Sequence, residues 1–415
     1  MSDWINNIIS RSHSVEPICS MEIDLIKKSI AIASVGAPRF TFGQKIAAFY
    51  DLVISAVYYS NITNDGWLYC SGENTPRLVL PFINCCPIHA LRKSFIFHNS
   101  SKPTSAKIGQ ATTRVLLLYF QELFAFNNEN IEVLKAVEPA DAIFLDRNNR
   151  KVLFTEIKSS PLLTPALSTP CDLMYGLDKY GDHYQISHKK STNPNLINSE
   201  LNIMIPIKKG KKWEMKEYNL GCKKNPTDTT FAYEGLLTLL DNDDFVAAFL
   251  DYWICSFNLY CKKDDQENIF WLTNACGKPN GLTDWTGGST CISDEKTSVG
   301  MDRTDDIKKG IYQVLKLGSE GKPNCKDWDY KVGILSNIHP ARHFSAYIAP
   351  IKDMIWAICQ EKNIKIAGDL DPQTKVFNLF DGIITFTQCY MRDNWLENKL
   401  SILNNNTSNV FKTEK

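Results

Sequence analysis

Apolar positions recur with two different periods along the 415 residues. Near the N-terminus, MEIDLIKKSIAIASVG and TFGQKIAAFYDLVISAVYYSN repeat every 3.6 residues and predict two helices. Residues 61–103 carry Asn, Pro, Gly and Cys without a period and predict irregular structure. After Pro103, with Thr104 and Ser105 as caps, IGQATTRVLLLYFQELFAF predicts a long helix bringing Ile108, Val115, Leu118, Tyr119 and Glu122 onto nearby faces. The period then shortens: NIEVLKAV, DAIFLD and KVLFTEIK predict strands, the last two joined through Arg147-Asn148-Asn149-Arg150 as a hairpin.

SSPLLTPALSTP predicts a Pro-rich loop, and SELNIMIPI–KKGK–KWEMKEYNLG a second hairpin. DDFVAAFLDYWICSFNLYC predicts a helix, IFWLTNA a strand, and GKPNGLTDWTGGST a loop. DRTDDIKKGIYQVLKLG predicts a helix capped by Asp302 or Thr304 and stopped at Gly318. YKVGILSNI reads as a buried central strand, and HFSAYIAPIKDMIWAICQEK as a helix interrupted near Pro350. The tail SILNNNTSNVFKTEK is polar and expected to fray. No repeat appears. Mixed helices and strands predict an α/β (α+β mixed) fold.

Apolar residues make up 44% of the chain, enough for a core, so disorder is excluded as its character. Lys+Arg and Asp+Glu are 46 each, so net charge names no partner, although a neutral chain can still carry a basic cleft. The first residues lack a basic segment followed by an apolar run, and IAAFYDLVISAVYY is too short to span a bilayer. A soluble, cytoplasmic protein with no membrane role is the expectation. The 13 cysteines follow no disulfide framework and are expected to be reduced thiols. P-loop, dinucleotide and nucleophile-elbow patterns are missing, so no ATP dependence is expected.

The chemistry concentrates between Glu138 and Leu162. Residues two apart on a strand share a face, so Glu156 and Lys158 project together while Thr155 and Ile157 face the other way. Asp141 opens the preceding strand, opposite the end of KVLFTEIK. Two acids and a lysine at one sheet edge offer the hard oxygens a Mg²⁺ takes, with a cation beside them for a water or a phosphate. The competing reading is a plain hairpin with a surface Glu–Lys face.

Pro139-Ala140-Asp141, fourteen further residues, then Glu156-Ile157-Lys158 resembles the PD-(D/E)xK nuclease motif, with Ala140 interposed between proline and acid. The recognisable motif spans about 20 residues, and roughly 60 with the helix before it. The resemblance implies a restriction-endonuclease-like core: a mixed β-sheet flanked by helices, with a helical N-terminal region and a large insertion. It implies Asp141 and Glu156 as Mg²⁺ ligands and Lys158 on the attacking water, with Glu122 as an added acid from the preceding helix. It implies that DRTDDIKKGIYQVLKLG lines the site through Lys309 and Gln313, one turn apart, with Tyr312 packed nearby. The expected organisation is residues 1–103 as N-terminal region, 104–160 and 296–395 as nuclease core, 161–295 as DNA-recognition insertion, and 396–415 as tail. The activity implied is that of a type II restriction endonuclease: Mg²⁺-dependent cleavage of a specific double-stranded DNA sequence, as a homodimer, leaving 5′-phosphate ends. A structure-specific or repair nuclease and a catalytically silent DNA-binding protein are the alternatives.

Two further groups stand out. Cys70, Cys85, Cys86, His89 and His98 include enough soft and borderline donors for a structural Zn²⁺, for instance Cys70, one of the adjacent cysteines and both histidines; buried free cysteines are the competing reading. His183, His188, Lys189 and Lys190, with Tyr180 and Tyr184, and the turn with Lys208, Lys209, Lys211 and Lys212 are candidate DNA-contact segments or plain solvated faces. His339, Arg342 and His343 follow the predicted central strand, where functional residues often sit.

Overall fold

The computed structural model describes residues 3–36, 39–72, 75–96, 98, 100–262, 267–275, 299–358, 364–365, 373–400 and 403. The predicted GKPNGLTDWTGGST loop and nearly all of the polar tail lie outside them.

Helix α1 (Asp3–Arg11) and a two-residue strand β1 (His13–Ser14) lead into α2 (Ser20–Ser34) and α3 (Phe42–Ser60). A capping box starts α3: Thr41 Oγ1 accepts from Gln44 N (3.1 Å) and Gln44 Oε1 from Thr41 N (3.0 Å). The stretch predicted to be irregular contains β2 (Trp67–Cys70), β3 (Arg77–Leu80) and the single turn α4 (Pro87–Ala90). These strands are too short to show a period, and they are held by pairing with distant strands. The predicted long helix is α5 (Ser105–Phe126), with Thr104 at its N-cap.

Strands β4 (Glu132–Lys135), β5 (Ala142–Asp146) and β6 (Lys151–Ile157) form an antiparallel meander. The β5–β6 turn is closed by the Asp146 carboxylate, which accepts from Asn149 N (3.0 Å) and Asn149 Nδ2 (2.8 Å). Next come β7 (Leu167–Pro170) at the end of the Pro-rich segment, a ribbon of β8 (Tyr175–Leu177) and β9 (His183–Gln185), and β10 (His188–Ser191). The hairpin β11 (Leu201–Lys209)–β12 (Lys212–Gly221) turns through Gly210, whose φ of 60° suits a two-residue loop.

Helices α6 (Phe231–Leu239) and α7 (Asp243–Lys262) follow. The predicted strand IFWLTNA is instead a 3₁₀ turn at Asn268–Leu272, buried from Ile269 onward: a short apolar run has no period to separate strand from helix, and packing decides. Helix α8 (Thr304–Gly321) starts after Arg303, not Asp302, whose carboxylate is engaged elsewhere, and it continues past Gly318. Strand β13 (Asp329–Ser336) is the predicted central strand. The helix predicted from His343 is a π-helical turn, Phe344–Ile348, then β14 (Ile355–Ile358). Pro350 removes a donor where the helix would continue, and the Ile-Trp-Ala-Ile run pairs as a strand. β15 (Ile364–Lys365), β16 (Val376–Asn378), β17 (Gly382–Thr385), β18 (Cys389–Met391) and α9 (Asn394–Lys399) complete the described chain.

The molecule is a mixed α/β protein. Seven strands form a mixed sheet in the order β1-β4-β5-β6-β13-β17-β18. β13 runs parallel to both β6 and β17, and the remaining pairs are antiparallel. Alternation covers both faces. Ala142, Phe144, Leu153 and Ile157 enter the large core with α2, α3 and α5; Ile143, Leu145, Val152 and Phe154 enter a second core with α1 and α8. A six-stranded sheet, β10-β2-β3-β7-β11-β12, takes strands from both before and after the meander. No helix among the described residues is long and apolar enough to cross a membrane.

Candidate active site

The β5–β6 register pairs Ala142 with Thr155 and so sets Asp141 opposite Glu156. The ladder continues past the end of β5: Asp141 N donates to Thr155 O (3.0 Å), and Asp141 O accepts from Ala136 N (3.0 Å). Asp141 Oδ2 accepts from Ile157 N (2.8 Å), which fixes its carboxylate at the end of β6. Glu156 is on the α8 face with Val152 and Phe154, and is buried. Lys158 Nζ donates to Glu156 Oε1 and to Ile157 O (3.2 Å). The three side chains come together at the ends of two interior strands, β5 and β6, rather than on an edge strand.

Burial, with the Asp141 charge next in effect and Lys158 opposing both, pushes the Glu156 carboxyl from its ordinary range up to about 7. Two carboxylates this close are under-compensated by a single ammonium. An added cation relieves that repulsion, and the donors are hard oxygens, so the residues present fit Mg²⁺.

The backbone after Lys158 is braced. Lys158 N donates to Leu335 O (3.0 Å), and Ser160 is gripped by Asn337 Oδ1 (3.2 Å), Asn337 Nδ2 (2.9 Å) and Gly300 N (2.8 Å). Leu162 N and Leu163 N both donate to Asp51 Oδ2, at 3.0 and 2.9 Å, beside Trp253 Nε1 at 2.8 Å. Asp51 is wholly buried in α3, and burial pushes its carboxyl well up.

Lys158 and Asp141 line two different lobes, which share Gly109 and Thr113 of α5; Glu156 lines neither. One, of about 370 Å³, is lined by Lys158, Ser159, Ser160 and four further charged residues: Lys102, Arg303, Asp306 and Lys309. Four cations against one acid make it suited to phosphate. The other, of about 790 Å³, is lined by Asp141, Glu138, Glu16, Gln110 and Gln313, with His13, Arg114 and Lys135. The predicted pair on α8 thus divides, Lys309 to the cationic lobe and Gln313 to the acidic one. Gln313 Oε1 is buried without a protein partner, an acceptor free for a ligand proton. Tyr312, predicted to pack nearby, is 64% exposed. Lys102, Arg303, Glu16 and Gln110 were missed, because nothing local marks a residue that reaches a cleft from another element.

Glu122 pairs with Lys27 of α2 (3.8 Å), and no cluster among the described residues joins it to Asp141 and Glu156. The lysines of the second sheet line neither lobe. Lys189 and Lys190 are exposed on β10, His183 is exposed on β9, Lys208 lies over the Trp213 ring (5.7 Å), and Lys209 pairs with Glu214 (2.8 Å). Arg342 and His343 form a braced turn. Asp302 accepts from Arg342 N (2.8 Å), His343 N (2.9 Å) and His343 Nδ1 (2.8 Å), and the Arg342 guanidinium covers Tyr260. His339 is packed against Phe344 and Tyr390, and burial pushes it down to about 4.

Of the predicted zinc donors, Cys70, Cys86 and His89 come together, whereas Cys85 turns into the large core. The described cysteines are all free.

Comparison with protein-family models, curated proteins and solved structures finds no match to this chain.

Proposed function

We propose that this chain is a Mg²⁺-dependent, ATP-independent endonuclease that hydrolyses phosphodiester bonds at a specific duplex DNA sequence, in the manner of a type II restriction enzyme acting as a homodimer. The observation that carries the reading is the convergence of Asp141, Glu156 and Lys158 at the end of the β5–β6 pair, next to a lobe lined by four cations. A binding module gains nothing from a carboxylate pair, Glu156 buried and Asp141 half-buried, held close to where phosphate would sit.

Asp141 and Glu156 would hold the metal. Bound there, Mg²⁺ supplies Lewis acidity toward a phosphoryl oxygen and lowers the pKa of water. Lys158 orients the attacking water in line with the scissile bond and keeps positive charge by the phosphorus. Arg303 and Lys309 neutralise the non-bridging oxygens and the adjacent phosphate. Gln313 Oε1 accepts a hydrogen bond from a water in the acidic lobe. The products are a 5′-phosphate and a 3′-hydroxyl.

The test is a digest of unmethylated phage-sized DNA with Mg²⁺, with EDTA and Lys158→Ala as controls. Discrete bands that vanish in both controls support the reading, and sequencing their ends identifies the site. A smear that vanishes in both indicates a nuclease with structural selectivity. Intact DNA across several divalent metals overturns the catalytic reading in favour of binding alone.

A further inference from the structure

Away from the carboxylate pair, three soft or borderline donors meet. Cys70 ends β2. Cys86 precedes α4 and His89 lies within it, so the Cys-x-x-His spacing brings sulfur and imidazole to one side of a single turn. His89 Nδ1 is 3.3 Å from Cys86 Sγ and 3.8 Å from Cys70 Sγ, and the three atoms lie within 4.8 Å of one another. Zinc bonds of about 2.3 Å to sulfur and 2.0–2.1 Å to nitrogen, at a tetrahedral angle, set sulfur and nitrogen about 3.5 Å apart. The two measured separations bracket that value.

A fourth donor stands next to the trio. Strand β10 pairs with β2 so that His188 is opposite Cys70. The His188 ring meets the His89 ring edge-on, 5.4 Å between centres. His188 Nε2 is buried and has no protein partner. His188 is not among the atoms within 4.8 Å of one another, so its ring would have to turn toward the trio; a buried, unpartnered ring nitrogen beside it calls for an explanation, and a metal provides one.

We propose that Cys70, Cys86, His89 and His188 form a structural Zn²⁺ site, with His188 as the fourth ligand in place of Cys85 or His98. The site would clamp β2, α4 and β10 together. It would also fix the base of the β8–β9 ribbon, which exposes Tyr175, Leu177 and Tyr184, because Ser187 O already accepts from Ser71 N (3.0 Å) immediately before His188. This inference does not depend on the nuclease reading.

The test uses the full chain purified under reducing, anaerobic conditions. Elemental analysis should find one zinc per chain. Co²⁺ added to the apoprotein should give the visible d–d and thiolate charge-transfer bands of a tetrahedral two-sulfur, two-nitrogen site. Removing one of four ligands, in His188→Ala or Cys86→Ser, should weaken Zn²⁺ about 100-fold, read by competition with a chromogenic chelator. His98→Ala and Cys85→Ser should leave it unchanged. Circular dichroism confirms that each variant is folded, and the wild-type stoichiometry stands even if one is not. Wild-type chain that takes up neither metal, a Cys70–Cys86 disulfide that persists under these conditions, or retention of metal by His188→Ala with loss by His98→Ala would each overturn the assignment.

Discussion

Replacing Asp51 by leucine tests how the site is held. Its Oδ2 accepts three hydrogen bonds, two from the backbone just beyond Lys158 and one from the Trp253 indole. Leucine leaves three donors stranded in a dry interior, at about 1–3 kcal/mol each. Some relaxation of the loop is expected, so the loss should be about 3–6 kcal/mol, a large share of the 5–15 kcal/mol typical of a folded domain. Asp51→Asn keeps an acceptor and should cost far less. Burial raises the Asp51 pKa, so the folded chain holds a proton that the unfolded chain releases above about pH 4. Its contribution therefore declines as pH rises from there toward the folded value, and asparagine carries no such decline. Urea unfolding at pH 5 and pH 8, followed by tryptophan fluorescence, should show Asp51→Asn gaining on wild type as pH rises. Asp51→Leu should also cut DNA more slowly at temperatures where it remains folded, since the strap behind Lys158 loosens. A leucine variant within about 1 kcal/mol of wild type, below the cost of even one stranded donor, or an asparagine difference that ignores pH, would show that Asp51 does not hold the strap.

Asp141→Asn and Lys158→Ala should each lower the cleavage rate by about 10²-fold or more while keeping duplex binding at low salt, as measured by gel shift. With Glu156 raised to about 7, its contribution to stability is present below the ordinary carboxylate range and lost as pH climbs toward 7; Glu156→Gln should flatten that part of a melting-temperature profile. Mg²⁺ binding, read by calorimetry, should strengthen across the same interval, because the metal needs the carboxylate. Gly333→Ala should lower stability by about 1–3 kcal/mol in chemical denaturation, since its Cβ would lie 2.6 Å from Gly382 O on the paired strand.

The meander and its carboxylates were legible because each feature is local. A period of two, an Asx-closed turn and two acids opposite each other need no knowledge of distant residues. The start of α5 after Pro103 was readable for the same reason, although Thr104 makes no side-chain cap there. Strands β2, β3 and β7 were not, since four residues among Gly, Asn and Pro have no period and depend on partners elsewhere. Ile269–Leu272 shows the opposite failure: its apolar run is clear, but only packing under α7 and α4 makes it a 3₁₀ turn. In the site, Lys158 was evident while Lys102, Arg303 and Glu16 were not. Their roles arise where separate segments of the chain meet, Lys102 and Arg303 at one lobe and Glu16 at the other. His188 was noticed for neighbouring lysines, yet its structural meaning lies in the strand it pairs with.

The six-stranded sheet also imposes an order on synthesis. Ser71 bonds Ser187, 116 residues later in the chain. At about 5–20 residues per second, the ribosome needs on the order of ten seconds to deliver β10 once β2 has emerged. During that interval β2 and β3 present unpaired, apolar edges, while the meander between them and β10 can already close on itself. The second sheet must therefore assemble late, around a finished hairpin, and closing so long a loop is slow. Nascent chains stalled before residue 188 should therefore be more prone to aggregate than chains stalled once β10, β11 and β12 have emerged.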